Sequence, residues 1–254
     1  MENKPKILGY VPLMYGAEYL EACLTSMLPW VDKLIIVYVD KGSQGHHTNV
    51  ICPETKEQLQ DIVRKIDSPK IEWHNCGTFQ NENAHRNYIL QFSEGYDLIF
   101  TLDADEVVEG QDMPAAIEHA LNSTKRHISI NGFINFWRSF DYVCLDGFRP
   151  FRFVNLRNPS GATDESDLCK LRIYHFSTCQ SIDTIRFKWN VSGHANELRP
   201  GWIDSVYLGW QPSMVDEPYQ NLHPVAHDIW NAIRFDKTTL PEVLREHKNY
   251  NKTA

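Results

Sequence analysis

The chain is expected to fold as an α/β protein built on a parallel, doubly wound sheet. Three observations point there. Over the first hundred residues, short β-prone apolar runs alternate with stretches of helical spacing. The apolar runs are near-continuous, as in strands covered on both faces. Polar clusters at 12–16, 40–47 and 103–106 fall at the carboxyl ends of those runs, where ligands sit in such sheets.

The elements follow in order. KILGYVP (6–12) reads as a first strand, and GAEYLEACLTSML (16–28) as a helix stopped by Pro29. DKLIIVYVD (32–40) is a buried strand ending in Asp40 and a loop rich in Gly, Ser and His. PETKEQLQDIVRKI (53–66) is a helix with proline in its first turn. KIEWHNC (70–76) is a short strand. NENAHRNYILQFSEG (81–95) is a helix closed by Gly95, and DLIFTL (97–102) is the next strand. A helix at 113–123 completes the alternation. Beyond it the texture changes. HISINGFINFWRSF (127–140), GFRPFRFVNLR (147–157) and CKLRIYHF (169–176) are aromatic, β-rich and interleaved with arginine. Helical spacing returns at 223–235 and 241–250. No linker interrupts the chain, so one domain over 1–254 is expected, with halves 1–125 and 126–254.

With 254 residues and 42% apolar content the chain can bury one sizeable core. The net charge of -8 disfavours a dedicated nucleic-acid binder, because phosphate contacts dominate that affinity. No apolar run approaches a membrane span, and MENKPK (1–6) leads into no leader-like apolar stretch. Six scattered cysteines without a C-x-x-C pair fit reduced thiols. A cytoplasmic protein is expected, with peripheral membrane attachment left open.

The informative stretch is DLIFTLDADEVVEG (97–110). A buried-strand pattern runs into Asp103, Asp105 and Glu106 within four residues. Carboxylates crowded at a strand tip repel one another unless they are solvated or hold a cation. Hard divalent cations such as Mg²⁺ take carboxylate oxygens together with substrate phosphates. A bare D-x-D is common, and a solvated loop remains the alternative.

NENAHRNYILQFSEGYDLIFTLDADEVV resembles the family 2-like glycosyltransferases of the GT-A fold, in the subgroup that carries D-A-D-E. The first strand, the following helix and LIIVYVDKGSQG agree with that resemblance, although Lys41 stands after Asp40 where the family places a second acid. The resemblance covers about residues 6 to 125. It implies a Rossmann-like, mostly parallel sheet with helices on both faces, a C-terminal β-rich acceptor region and terminal helices. It also implies transfer of a hexosyl or pentosyl unit from a nucleoside-diphosphate sugar, of the UDP type, to an acceptor hydroxyl with inversion. Asp103 and Asp105 would hold Mn²⁺ or Mg²⁺ against the diphosphate. Pro12, Asp40, Arg86, Asp103 and Ala104 would line the donor site. The leaving diphosphate needs a cation in place before the bond breaks. The acceptor is a glycan or a modified nucleic acid.

Two further readings stand beside this one. An apolar run followed by D-x-D-x-V also resembles haloacid-dehalogenase-like phosphatases, with Asp103 as nucleophile and Asp105 as general acid. That family's later G-D-x-x-x-D is missing here. The altered loop after Asp40 would also suit a catalytically degenerate scaffold that only binds sugar nucleotides.

An inverting transfer needs a base on the acceptor side. Candidates from the second half are Asp141, Asp146, Asp164, Glu165, Glu197 and Glu217. Glu197 in VSGHANELRPG is favoured, because D-A-D-E relatives carry a His-Glu element nearby. Asp146 in CLDGF comes second, though Asp-Gly also reads as a hairpin turn. His223 and His227 form an i,i+4 pair on an expected helix and are candidate further metal ligands. His46 and His47 lie near the expected nucleotide. Arg138, Arg149, Arg152 and Arg157, set among aromatics, suit sugar or anion contacts, or else the outer face of a half-buried sheet.

Overall fold

The computed structural model describes residues 4–43, 50–145, 147–158, 166–215, 217–227 and 229–254. His46, His47, Asp146, Asp164 and Glu165 lie outside them. The chain forms a mixed α/β fold around a central sheet. Its N-terminal strands are β1 (Ile7–Leu13), β2 (Lys33–Tyr38), β3 (Ile71–Asn75) and β4 (Leu98–Thr101). They are parallel and lie side by side in the order β3-β2-β1-β4.

Alternation along these strands explains why their sequences are apolar throughout. Val11, Leu13, Leu34, Ile36, Leu98 and Phe100 face one core. It is covered by α1 (Leu20–Met27), α2 (Lys56–Ile66) and α4 (Met113–Asn122). The intervening Leu8, Tyr10, Ile35, Val37 and Ile99 face the other side. There α3 (Glu82–Asn87) and the 3₁₀ turn Tyr88–Phe92 lie, and Ile89, Tyr88 and Phe92 pack against them. α2 starts at a capping box, with Thr55 and Gln58 exchanging side-chain and backbone bonds, so Pro53 lies before the helix.

The second half extends the sheet with β5 (Glu106–Val108), β6 (His127–Trp137), β7 (Ser139–Cys144), β8 (Phe151–Asn155), β9 (Asp167–Thr178) and β10 (Ala232–Arg234). β8 joins β4 antiparallel, β6 and β7 follow, and β10 closes the far edge. β6 and β7, expected as one run, are separated by a turn at Arg138, whose φ is 60°. Strand order reverses at β1, with β2 and β3 on one side and β4 on the other. A crevice therefore opens beyond the carboxyl ends of β1 and β4.

Three helices depart from expectation. The helix expected over 81–95 is α-helical only over α3 and ends as the 3₁₀ turn at Phe92, short of Gly95. Residues 223–235 do not form a helix. Trp230 has a φ of 64°, and the His223 ring accepts the amides of Val225 and Ala226. The chain then pairs with β7 as β10, so sheet pairing overrides the helical spacing of the apolar residues. The last helix, α6 (Glu242–Arg245), is shorter than 241–250, because His247 turns to bond the Glu18 carbonyl. One helix was not expected: α5 (Ile182–Val191), capped by Ser181. Among the described residues no helix is long and apolar enough to cross a membrane, and all six cysteines are free.

Candidate active site

A cavity of about 360 Å³ occupies the crevice. Its walls are the loops after β1, β2 and β4, one face of α3, His175 of β9, and α5 with the residues that follow it. Of the residues singled out from sequence, Pro12, Arg86, Asp103, Ala104 and Asp105 line it together. Asp40 sits beside it, in a smaller hollow of about 240 Å³ with Tyr38 and Lys56, while its neighbours Val39 and Lys41 face the main cavity. Glu197 is outside the lining but holds a residue within it, since its Oε2 lies 2.9 Å from Nδ1 of His194. His223 and His227 are not in the lining, and the expected helical pair does not exist.

The turn after β4 is built by close approach. The Glu106 amide donates to the Asp103 carbonyl, and the Phe176 amide donates to that of Asp105. Gly16, with φ of 119°, passes so near that an added Cβ would stand 2.8 Å from the Ala104 methyl. Gly16 and Ala104 are thus both small because two loops meet there. The turn aims Asp103 and Asp105 into the cavity and sends Glu106 the other way.

Each carboxylate has a cationic partner from elsewhere in the chain. Glu106 is fully buried and takes both arms of Arg152, including Nε to Oε2 at 2.9 Å. Arg152 also reaches Asp103 Oδ2 at 3.4 Å, and Arg86 meets the two Asp103 oxygens at 3.1 and 3.2 Å. Asp105 Oδ2 accepts from Gln180 Nε2 at 3.0 Å and Lys188 Nζ at 3.3 Å, with His175 Nε2 3.8 Å from Oδ1. Burial pushes the Asp103 carboxyl up, but Arg86 and Arg152 more than offset it and hold it well below the usual range. Burial opposes Asp105 in the same way, and Lys188 and His175 keep it low. For Glu106 burial wins over Arg152, and its value rises. Burial drives His175 down to about 4, against the pull of Asp105. The imidazole is therefore neutral, with Nδ1 against Asn135 Oδ1 at 2.7 Å.

His175, Gln180 and Lys188 were not singled out as site residues from sequence. Arg152 was expected on the outer face of a half-buried sheet or on a ligand. It is instead 6% exposed and aimed inward. Of the other arginines, Arg157 pairs with Asp97 and Arg138 donates to the Trp210 carbonyl. The signal for Lys188 was the Ser181 cap and the spacing of Ile182, Ile185 and Trp189, which together mark α5.

The donor set does not fit a divalent cation as it stands. Asp103 is bridged by two guanidiniums, and Lys188 holds Asp105. Among the described residues no group of three or more His, Cys, Asp or Glu could hold a metal.

No protein-family model and no curated protein matches the chain. Solved structures with some likeness include Staphylococcus aureus TarS 1-349 in complex with UDP, at 18% identity over 51% of this chain and 36% of that one, TM-score 0.36. TarS 1-349 without ligand aligns at 12% identity over 85% of this chain and 79% of that one, TM-score 0.44. Glucosyl-3-phosphoglycerate synthase from Mycobacterium tuberculosis, in complex with Mn²⁺, UDP and glucosyl-3-phosphoglycerate, aligns at 10% over 51% and 44%, TM-score 0.37. At these scores the likenesses carry no argument about function.

Proposed function

We propose that the protein is a GT-A-type glycosyltransferase that moves a sugar from a nucleoside-diphosphate sugar, of the UDP class, to an acceptor hydroxyl. The observation that carries this is the placement of the cavity. It lies beyond β1 and β4 where strand order reverses, and Asp103 and Asp105 with their cations form its floor. That is where a doubly wound sheet binds nucleotides. The D-A-D-E resemblance adds the reaction class.

The diphosphate would lie over Arg86 and Lys188, the sugar toward His175, and the base toward the loop after β2. Inversion asks for a base on the acceptor side, and the His194–Glu197 pair is suited to that role. With Nδ1 held by Glu197, Nε2 is the ring nitrogen left to take the acceptor proton. Glu197 then positions the base instead of acting as one. The acceptor class is a glycan or a modified nucleic acid. Mn²⁺ or Mg²⁺, implied by the resemblance, would enter only by displacing Lys188 from Asp105, and no step here is routed through it. The phosphatase reading is weaker, because a general acid at Asp105 must carry a proton and Lys188 disfavours that.

The test is thermal unfolding against a panel of nucleoside diphosphates and nucleotide sugars. A ligand at 100 times its Kd adds ~2.7 kcal/mol of stability. One nucleotide sugar should raise the Tm in wild type and do so less in Arg86→Met, which loses a cation of the cavity lining. A panel in which nothing binds removes the transferase reading.

A further inference from the structure

We infer that Lys188 is the built-in cation of the donor site: its ammonium holds Asp105 in place of a divalent metal and bonds the donor diphosphate directly. This rests on the glycosyltransferase reading above.

The geometry is specific. Lys188 reaches from α5 with only 18% of its side chain exposed. Two of its N–H bonds are spent inside the protein, on Asp105 Oδ2 at 3.3 Å and Ser177 Oγ at 2.6 Å. An ammonium has three, and Lys188 lines the cavity, so the third is left for a ligand. A compact ammonium is a well-suited phosphate partner as a point charge.

The charge balance points the same way. Among the described residues of the lining, Lys41, Arg86 and Lys188 face Glu82, Asp103 and Asp105, three against three. Paired aspartates recruit a divalent ion when their charge is otherwise uncompensated. Here that charge is compensated before any ligand arrives. A metal would have to break a shielded ion pair and leave the ammonium beside it, which is strongly unfavourable. The loop after β2 contributes in the same sense, since Lys41, not an acid, follows Asp40 and faces the cavity.

The experiment is calorimetric titration of UDP into the full chain, in EDTA and again in Mn²⁺. It is run on wild type, Lys188→Met, and the double variant Lys188→Met/Asp105→Asn, which removes both charges and guards against misfolding. Wild type should bind UDP in EDTA, with Mn²⁺ changing Kd by less than about threefold. Lys188→Met should weaken binding in EDTA by about tenfold or more, matching the loss of one charge-assisted bond. Mn²⁺ should restore binding to the single variant, whose Asp105 is released, but not to the double variant. The inference is overturned if wild type binds UDP only with Mn²⁺, or if Lys188→Met binds in EDTA as wild type does. If neither UDP nor any other nucleoside diphosphate binds in either buffer, the transferase reading itself fails, and this inference with it.

Discussion

Replacing Arg152 with methionine is the sharpest perturbation of the carboxylate turn. Methionine keeps the apolar stem beside Phe133, whose ring the guanidinium overlies at 5.6 Å, and removes only the charge. It strands Glu106, which is 0% exposed, and takes one of two guanidiniums from Asp103. At an effective dielectric of about 20, a charge pair ~4 Å apart is worth ~4 kcal/mol. Breaking a buried pair from one side costs about 3–5 kcal/mol, since the remaining charge keeps its desolvation penalty. The Arg152→Met variant should therefore lose about 3–5 kcal/mol near pH 8. Glu106 can escape by taking a proton. Its value is already raised by burial and rises further without Arg152. An acid whose folded value lies above its unfolded one loses stability as pH rises through that range, so the deficit should shrink toward pH 5. Urea unfolding followed by tryptophan fluorescence reads this well, because Trp137, Trp202 and Trp210 are buried in one cluster. A deficit below about 1 kcal/mol at pH 8, or one that grows on acidification, would refute the view that this pair anchors the turn.

Three other outcomes are expected. His175 is held at about 4, below its usual 6.5, so the unfolded chain binds more protons between those values and stability falls as pH drops through that window. Relative to His175→Gln, wild type should lose about 3 kcal/mol more between pH 7 and pH 4; parallel pH profiles in urea would contradict this. Gly16→Ala should cost about 2–4 kcal/mol from its positive φ and the clash with Ala104. Adding Ala104→Gly should recover part of that loss, and a fully additive pair of losses would show that the contact is unimportant. His194→Ala should lower kcat by about a hundredfold or more with little change in donor KM. Glu197→Ala should lower it less and shift the pH–rate profile, and an unchanged kcat in His194→Ala would remove the dyad from catalysis.

The N-terminal half was legible because its signals are local. Strands such as LIIVY are apolar on both faces, and Thr55 caps a helix close to where its start was expected. The cavity followed from the strand-end clusters, which placed Pro12, Asp103 and Asp105 together, while Arg86 came only from the family resemblance. What escaped was set by distant partners. Arg152 lies between Phe151 and Phe153, and nothing in FRF says that the arginine turns inward to meet Glu106. In α5, Ile182, Ile185 and Trp189 keep one stripe, but Phe187 packs off it against Tyr15, which blurs the helical signal. The stretch 223–235 has helical spacing but is claimed by β7, a pairing about ninety residues away.

The most direct test of the central claim is a crystal structure of the protein with UDP bound. The diphosphate should lie beyond the ends of β1 and β4, with a phosphate oxygen within about 3 Å of Lys188 Nζ. UDP seated on another surface, with the Asp103–Asp105 cavity empty at saturating ligand, would contradict it.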